Sequence, residues 1–237
     1  MDLKFLGRGS AFNVLEGNTS CYFIEKDELF LIDCGENVFN CLIKKKLLDK
    51  VKCVNLFITH THSDHIGSVG SLSAYLYYSM QIPLNIIYKD NTHKKVIERV
   101  FSAFGSNLEH IVFIKYNYFD NKYTCFNNIR YIATRHCDNM HCYGIKFNCN
   151  SGVIYYSGDS CDTKNIEDII KINKKIDKIY VDVTSLDYKN NTHLYIGMLA
   201  KVIPFYLKDK IYCMHINNND CIDLINKLGF KVVSLDD

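Results

Sequence analysis

The chain has 237 residues, enough to bury a sizeable core, and we expect a single domain over residues 1–237. Its residues are 48% hydrophobic and 13% aromatic, which excludes a disordered chain. The net charge of +2 at pH 7 gives no bulk electrostatic attraction to nucleic acid or to a membrane surface. No apolar run approaches the roughly 20 residues that a membrane helix needs, so no membrane partner is expected.

Short apolar runs alternate with helical patterns along the chain, without a linker or a low-complexity segment. Strands are predicted at 2–6, 20–25, 29–33, 54–58, 84–88, 111–115, 123–126, 129–134, 143–147, 153–157, 178–183, 210–214 and 231–235. Helices are predicted at 36–48, 67–80, 91–104, 164–172, 193–202 and 219–228. Both halves of the chain mix strands with helices. The pattern therefore favours an α/β sandwich of two packed sheets with helices outside over one doubly wound sheet.

The eleven cysteines do not indicate a disulfide framework. Their number is odd, no Cys-x-x-Cys occurs, and several lie in apolar strand-like runs, as Cys53 and Cys213 do. The N-terminal residues MDLKFLGRG lack the basic and then apolar regions of an export signal. We therefore expect buried free thiols and a cytoplasmic protein.

The strongest motif is the segment FITHTHSDHIGS. An apolar run from Val54 to Ile58 leads into a turn that carries His60, His62, Asp64 and His65. Alternation places His60 and His62 on one side of an extended segment, so both can reach one metal ion. Asp64 and His65 fall where the chain turns into the next helix, and they can point to a second metal ion about 3.5–4 Å away. A solvated histidine-rich turn is the alternative, but such a dense set of ligands ending a buried strand argues against it.

This segment resembles the His-x-His-x-Asp-His signature of the metallo-β-lactamase superfamily, and the resemblance extends from Met1 to about Leu235. It implies an αββα sandwich with two metal ions at one edge of the sheets. It also implies three later ligands, which are a His, an Asp that follows a strand, and a late His. His136, Asp159 and His215 occur in that order.

His136 directly follows a predicted strand, as His60 does, and we favour it over His141, which competes for the same role. Asp159 has two carboxylate oxygens and can span two cations. The resemblance thus implies the following ligands: His60, His62 and His136 for one metal ion, Asp64, His65 and His215 for the other, and Asp159 for both. Such donors suit two Zn²⁺ ions per chain, with Mn²⁺ as the harder alternative.

Two further residues, Asp182 and His193, resemble a catalytic pair of the tRNase Z-like branch of the superfamily. In that branch the His protonates or stabilises the leaving oxygen during cleavage of a phosphate ester. The alternative is a histidine that only begins a helix beside a capping Thr192. Asp64, Asp182 and His193 are the expected catalytic residues.

The N-terminal run GRGSAFNVLEGNTSCYFI resembles the opening of tRNase Z-like and related phosphodiesterases. There Asn13, Asn18 and Ser20 are expected to contact a phosphate or to support the ligand loops. Asp33 matches a superfamily Asp that supports the metal-binding loop. The remaining polar-context histidines are expected at the surface: His93 and His110.

Two metal ions can promote attack on phosphorus or on a carbonyl. Pre-tRNA processing enzymes of this superfamily carry a basic arm in their C-terminal half, but only 22 residues separate His136 from Asp159. Without such an arm a stable nucleic-acid partner is not expected. In its N-terminal run, its compactness and its missing arm the chain resembles anti-Pycsar cyclic-nucleotide phosphodiesterases, compact relatives associated with phages. It implies a small nucleotide substrate and a homodimer.

Two other functions are alternatives. One is an armless RNA 3′-processing endonuclease of the tRNase Z type. The other is a metal-bound module that sequesters a nucleotide without turnover, and the complete set of ligands argues against it.

Overall fold

The computed structural model describes residues 1–236, so Asp237, the last residue of the predicted domain, lies outside the described residues. The first sheet has strands β1 (Lys4–Gly7), β2 (Ser20–Glu25), β3 (Glu28–Ile32), β4 (Cys53–Phe57), β5 (Leu84–Tyr88) and β6 (Ile111–Lys115), in that order. Strands β1 to β3 are antiparallel, and β3 to β6 are parallel.

The second sheet has strands β7 (Asn128–Thr134), β8 (Cys142–Cys149), β9 (Gly152–Tyr156), β10 (Ile176–Asp182), β11 (Ile211–Met214) and β12 (Lys231–Val232). Its strand order is β12-β11-β10-β9-β8-β7. Strands β7 to β9 are antiparallel and β9 to β12 are parallel. Each sheet therefore joins an antiparallel hairpin unit to a parallel unit.

The helices are α1 (Val38–Lys44), α2 (Ser63–Ile66), α3 (Val69–Tyr75), α4 (Asn91–Ala103), α5 (Lys164–Ile172), α6 (Ile196–Val202) and α7 (Asn219–Lys227). A π-helix, Leu76–Met80, continues α3, and short 3₁₀ segments lie at Leu108–His110, Tyr116–Phe119 and Phe205–Lys210. None of the helices in residues 1–236 combines the length and the apolar composition that crossing a membrane requires.

Three buried clusters show how the layers pack. One outer cluster joins α1, α3 and α4 to the outer face of the first sheet. The other outer cluster joins α5, α6 and α7 to the outer face of the second sheet. The middle cluster lies between the sheets and is rich in aromatic rings, such as Phe30, Phe57 and Phe147. Helix, sheet, sheet and helix thus form the predicted αββα sandwich.

The predicted strand at 123–126 is wrong. This segment is a loop in which Phe126 is buried between the sheets and the Thr124 backbone amide donates a hydrogen bond to Glu25. The segment contains apolar residues because individual side chains are buried, and not because it pairs as a strand. The helix predicted at 36–48 is shorter, and the strand predicted at 231–235 spans only Lys231–Val232.

His93 was expected at the surface, but only 3% of it is exposed. It lies on α4 against the rings of Tyr131 and Tyr143, at centroid distances of 5.4 and 4.9 Å. Burial lowers the pKa of His93 to about 4, so its ring is neutral. The polar residues around His93 in the sequence therefore gave no indication that it lies in the core. His110 is half-buried and stacks on Tyr77.

All eleven cysteines lie within the described residues and are free thiols. Six are buried, including Cys53 and Cys213 as expected.

Candidate metal centre

The seven predicted metal ligands meet at one edge of the sandwich. His60, His62, Asp64 and His65 follow β4, His136 follows β7, Asp159 follows β9, and His215 follows β11. These strands end at the same edge because β3 to β6 are parallel within one sheet and β7, β9 and β11 share a direction in the other. Residues separated by 155 positions of sequence therefore lie side by side.

The first group contains His60, His62, His136 and Asp159, with donor atoms within 4.8 Å of one another. His62 Nδ1 lies 3.0 Å from His60 Nε2 and 3.2 Å from His136 Nε2. Each of these two Nε2 atoms is 3.7 Å from Asp159 Oδ2. Three ring nitrogens and a carboxylate oxygen thus converge on one point, as ligands of a tetrahedral metal ion do.

The second group contains Asp64, His65, Asp159 and His215. His215 Nε2 is 3.3 Å from Asp64 Oδ2 and 3.4 Å from Asp159 Oδ2. His65 Nε2 is 3.4 Å from Asp64 Oδ2 and 3.3 Å from Asp159 Oδ1. Asp159 belongs to both groups, which is the arrangement expected of a carboxylate shared by two cations.

The far nitrogens of these rings are fixed by other groups. His65 Nδ1 hydrogen-bonds to Asp33 Oδ2 at 2.8 Å, and His136 Nδ1 to the Thr192 carbonyl at 2.8 Å. His60 Nδ1 lies 3.1 Å from Thr59 Oγ1. Such partners fix the tautomer and orient the other nitrogen of a metal-binding histidine. Asp33 also accepts hydrogen bonds from the backbone and hydroxyl of Thr59, so it supports the loop as predicted.

The buried His65 Nε2 has no hydrogen-bond partner among the described residues. Because Nδ1 binds Asp33, a neutral His65 ring would point an Nε2 lone pair at the carboxylates of Asp64 and Asp159. Such a contact is unfavourable unless a cation lies there, either a proton or a metal ion. The donor set therefore fits a divalent cation.

The electrostatics of the site agree with this geometry. Burial opposes protonation of His215, but the carboxylates of Asp159 and Asp182 raise its pKa to about 10. Burial likewise opposes ionisation of Asp159, but His215, His65 and His60 hold its pKa well below the usual range. Positive charge is thus strongly stabilised next to Asp159.

Backbone conformation at the strand ends brings the ligands inward. His215 has φ 60°, a left-handed conformation that is uncommon outside glycine and often marks functional sites. Gly158 has φ 58°, and a Cβ there would lie 2.4 Å from the Tyr143 carbonyl oxygen. Only glycine therefore allows Asp159 to follow β9 at this angle.

Asp182 and His193 form the predicted pair. His193 Nδ1 lies 2.8 Å from Asp182 Oδ2, and Asp182 is fully buried at the end of β10. Burial opposes protonation of His193, but the Asp182 carboxylate raises its pKa above the ordinary value. The His193 ring stacks on His215 at a centroid distance of 4.7 Å. The pair also forms a third group of possible ligands with Asp159 and His215, so it borders both predicted groups.

A cavity of about 480 Å³ opens over these groups. His193, Asp64, Asp159 and other predicted site residues line its floor. Its remaining wall comes from residues that the sequence analysis did not single out: Ser10, Ala11, Phe12, Ser63, Thr184, Leu186, Tyr188, Asn191 and Asn217. They lie on the N-terminal loop, at the start of α2 and on the loops after β10 and β11, which approach one another only in the folded chain.

The expected substrate residues Asn13, Asn18 and Ser20 do not line this cavity. Ser20 is fully buried and donates to the Asp33 carbonyl, and Asn13 donates to the Ile216 carbonyl. Asn18 exchanges hydrogen bonds with Asn37. Their polar groups are used inside the protein, so they support the ligand loops, the other role considered for them.

His141 lies outside both ligand groups. It is exposed and lines a separate cavity with Lys89 and Tyr143, whereas His136 is buried in the first group.

The profile of the family described as Anti-Pycsar protein Apyc1 matches residues 1–231. The chain belongs to this family. Membership agrees with the resemblance inferred from the N-terminal run, the compactness of the chain and the missing arm, and the match covers nearly the whole chain.

Curated relatives match a smaller part. A ribonuclease Z of Methanococcus maripaludis is 35% identical over 105 residues, which cover 44% of this chain and 33% of the relative. A ribonuclease Z of Oceanobacillus iheyensis is 32% identical over 120 residues, or 48% of this chain and 39% of the relative. The matched region thus spans about a third of the length of these relatives.

Solved structures share the fold over nearly the whole chain. The metallo-β-lactamase fold protein YhfI from Bacillus subtilis has a TM-score of 0.72 at 18% identity, covering 96% of this chain and 90% of that protein. A diphosphatase of the PhnP family has a TM-score of 0.71 at 15% identity, with coverage of 98% and 94%. Human tRNase Z, short form, has a TM-score of 0.66 at 18% identity, with coverage of 100% and 97%. The protein has the metallo-β-lactamase fold.

Proposed function

We propose that the protein is a two-metal phosphodiesterase that hydrolyses a cyclic nucleotide to a linear monophosphate. The observation that carries this proposal is the cavity over the metal centre. It measures about 480 Å³, within the usual range for small-molecule sites, and the described residues that line it include no Lys or Arg. A polynucleotide gains most of its affinity from Lys and Arg at its phosphates, so this lining favours a small substrate.

The two ligand groups would each hold one metal ion. One group is His60, His62, His136 and Asp159, and the other is Asp64, His65, Asp159 and His215. We propose Zn²⁺ for both, with Mn²⁺ as the alternative. Bound there, two divalent cations lower the pKa of water and neutralise the charge that develops on the phosphate.

The chain's own residues supply the remaining chemistry. In hydrolysis a water oxygen bonds to phosphorus, the bond from phosphorus to a ribose oxygen breaks, and that oxygen needs a proton. Asp182 fixes His193 through Nδ1, which leaves Nε2 to hold the proton that the ribose oxygen receives. Phe12, Leu186 and Tyr188 give the nucleoside an apolar wall.

Family membership supports this proposal, because the matching family carries the description Anti-Pycsar protein. The partial matches to ribonuclease Z favour a second candidate, an RNA 3′-processing endonuclease. Against it, the segment between β9 and β10 contains only α5, and the described cavity lining includes no Lys or Arg.

A substrate panel tests the proposal. Purified protein would be incubated with 3′,5′- and 2′,3′-cyclic nucleotides, with bis-(p-nitrophenyl) phosphate and with a short RNA that carries a 3′ trailer. We expect cyclic nucleotides to be converted to monophosphates, with activity lost on chelation. If the protein trims the RNA efficiently and turns over no cyclic nucleotide, the proposal is wrong and the RNA 3′-processing endonuclease takes its place.

Three further expectations stay predictions: a homodimer, a cytoplasmic location and the absence of a stable nucleic-acid partner.

A further inference from the structure

Between β10 and α6 the chain forms a loop, residues 185–193, whose ends lie close together. The backbone amide of Thr184 donates to the Leu194 carbonyl at 2.9 Å, and this hydrogen bond closes the base of the loop. The loop carries Leu186, which lines the cavity, and the proposed proton donor His193. Compact surface loops of this kind are frequently functional.

The side chain of Asn191 holds this loop from the inside. Its Nδ2 donates to the Leu186 carbonyl at 2.8 Å, and its Oδ1 accepts from the His193 backbone amide at 3.1 Å. The second hydrogen bond is an Asx turn, the local geometry with which an Asn side chain fixes the backbone two residues further on. Both polar atoms of the Asn191 side chain therefore bind the loop itself, although the residue also lines the cavity.

The peptide group that Asn191 holds also faces the metal centre. The His193 amide and the Thr192 carbonyl belong to one planar peptide group, so the directions of the N–H and the C=O are fixed relative to each other. The Thr192 carbonyl accepts a hydrogen bond from His136 Nδ1 at 2.8 Å. Because Asn191 holds the amide side of this group, the carbonyl side presents its oxygen to His136.

His136 depends on this carbonyl for its orientation. Its Nε2 points into the first ligand group, 3.2 Å from His62 Nδ1. The hydrogen bond to the Thr192 carbonyl places the ring proton on Nδ1 and leaves the Nε2 lone pair for a cation. His65 is held by the carboxylate of Asp33, whereas His136 is held by a backbone carbonyl whose direction is set by the loop.

We propose that Asn191 is a positioning residue of the metal centre. It sets the direction of the Thr192–His193 peptide group, and that group orients His136. Asn191 belongs to none of the ligand groups, so it acts through the backbone. One side chain thus positions both a metal ligand and the proposed proton donor. This inference rests on the metal centre of the proposed function but not on its substrate.

Titration of Zn²⁺ into metal-depleted protein, in competition with a chromophoric chelator, tests the inference. Asn191→Ala removes the acceptor for the His193 amide. We expect one of the two Zn²⁺ ions to bind about 10–100-fold more weakly, the usual effect of losing a group that orients a metal ligand. Asn191→Asp keeps the acceptor and should restore most of the lost affinity. Asn190→Asp, at the exposed neighbouring residue, adds the same charge and shows how much of that recovery is due to charge alone.

A double variant separates positioning of His136 from a general loss of structure. In His136→Ala the proposed link to the metal ion is absent, so adding Asn191→Ala should leave the affinity for the remaining Zn²⁺ ion unchanged. An unchanged Zn²⁺ affinity in Asn191→Ala alone, or an equal loss of affinity with and without His136, would overturn the proposal.

Melting temperatures of the metal-free proteins are recorded first to show that each variant is folded. If Asn191→Ala does not fold, Asn191→Leu, which keeps the size of the side chain without its polar atoms, takes its place. Zn²⁺ affinity is read without substrate, so failure of the cyclic-nucleotide reaction leaves this test intact. An unmodified protein that binds no Zn²⁺ would refute the proposed function together with this inference, whereas two bound ions with unaltered affinities in the Asn191 variants would refute this inference alone.

Discussion

His193 lies beside the metal centre with one ring nitrogen fixed by a buried carboxylate. We predict that His193→Ala lowers kcat for a cyclic nucleotide by roughly 10²–10⁴-fold, the usual effect of losing a general acid. Its metal content should stay at the level of the unmodified protein, because His193 is not among the proposed ligands. Metal analysis and steady-state kinetics on the same preparation check both parts.

Substitution of Asp182 tests whether this residue positions His193, the proposed proton donor. Asp182→Asn keeps the shape of the side chain but weakens its hold on His193 Nδ1, so kcat should fall while KM changes little. His110→Ala, at a histidine stacked on Tyr77 outside the cavity lining, is the matched control. An unchanged kcat in His193→Ala would remove this residue from the reaction.

His93 predicts a pH dependence of stability. Its folded pKa of about 4 lies below the ordinary 6.5, so the unfolded chain takes up the proton first as the pH falls. The stability that neutral His93 contributes is fully present above pH 6.5 and is lost as the pH falls towards 4. His93→Phe keeps the ring packing and should lack this loss of about 3 kcal/mol. Urea unfolding of both proteins between pH 7 and 4 measures it, and parallel stability curves would contradict the burial of a neutral ring.

Among the helices and strands, the strands were the most predictable part. Strands β2, β5 and β6 have the predicted bounds, because each is a short apolar run closed by polar residues. The ligand motif sits directly after β4, where sequence proximity alone brings four side chains together. Strands and motifs that depend on neighbouring residues in the sequence can therefore be predicted without knowledge of the fold.

The cavity wall could not be predicted in the same way. Phe12 and Tyr188 are exposed and lie on loops that meet over the metal centre, and no periodic pattern marks them. Asn13, Asn18 and Ser20 look equally suited to a substrate in the sequence. In the folded chain they form hydrogen bonds within the protein, with partners that include Asn37 and the Ile216 carbonyl, and the sequence does not reveal these partners.

The loop between β7 and β8 gives a prediction of its own. His136→Ala should abolish turnover and reduce metal content, because His136 Nε2 converges with His62 Nδ1 and Asp159. His141→Ala, five residues later and exposed, is the matched control and should keep both. Metal analysis of the two variants checks this, and the reverse pattern would move the third histidine ligand to position 141.

The candidate metal centre joins the two sheets. Its ligands come from loops of both, so binding of metal ions to the folded chain alone should stabilise it. Free metal at 1,000 times its Kd would contribute about 4 kcal/mol per site, and loss of one such site should lower Tm by roughly 10 °C. Calorimetric melting with and without a chelator measures this, and an unchanged Tm would show that the clusters hold no metal.

The proposed reaction is hydrolysis of a cyclic nucleotide with two metal ions. The most direct measurement is a titration of Zn²⁺ into metal-depleted protein, with cyclic-nucleotide hydrolysis followed at each step. We predict that turnover rises to a plateau at two equivalents per chain and returns to background when a chelator is added. Full turnover in the metal-free protein, or no turnover at any loading with Zn²⁺ or Mn²⁺, would contradict this proposal.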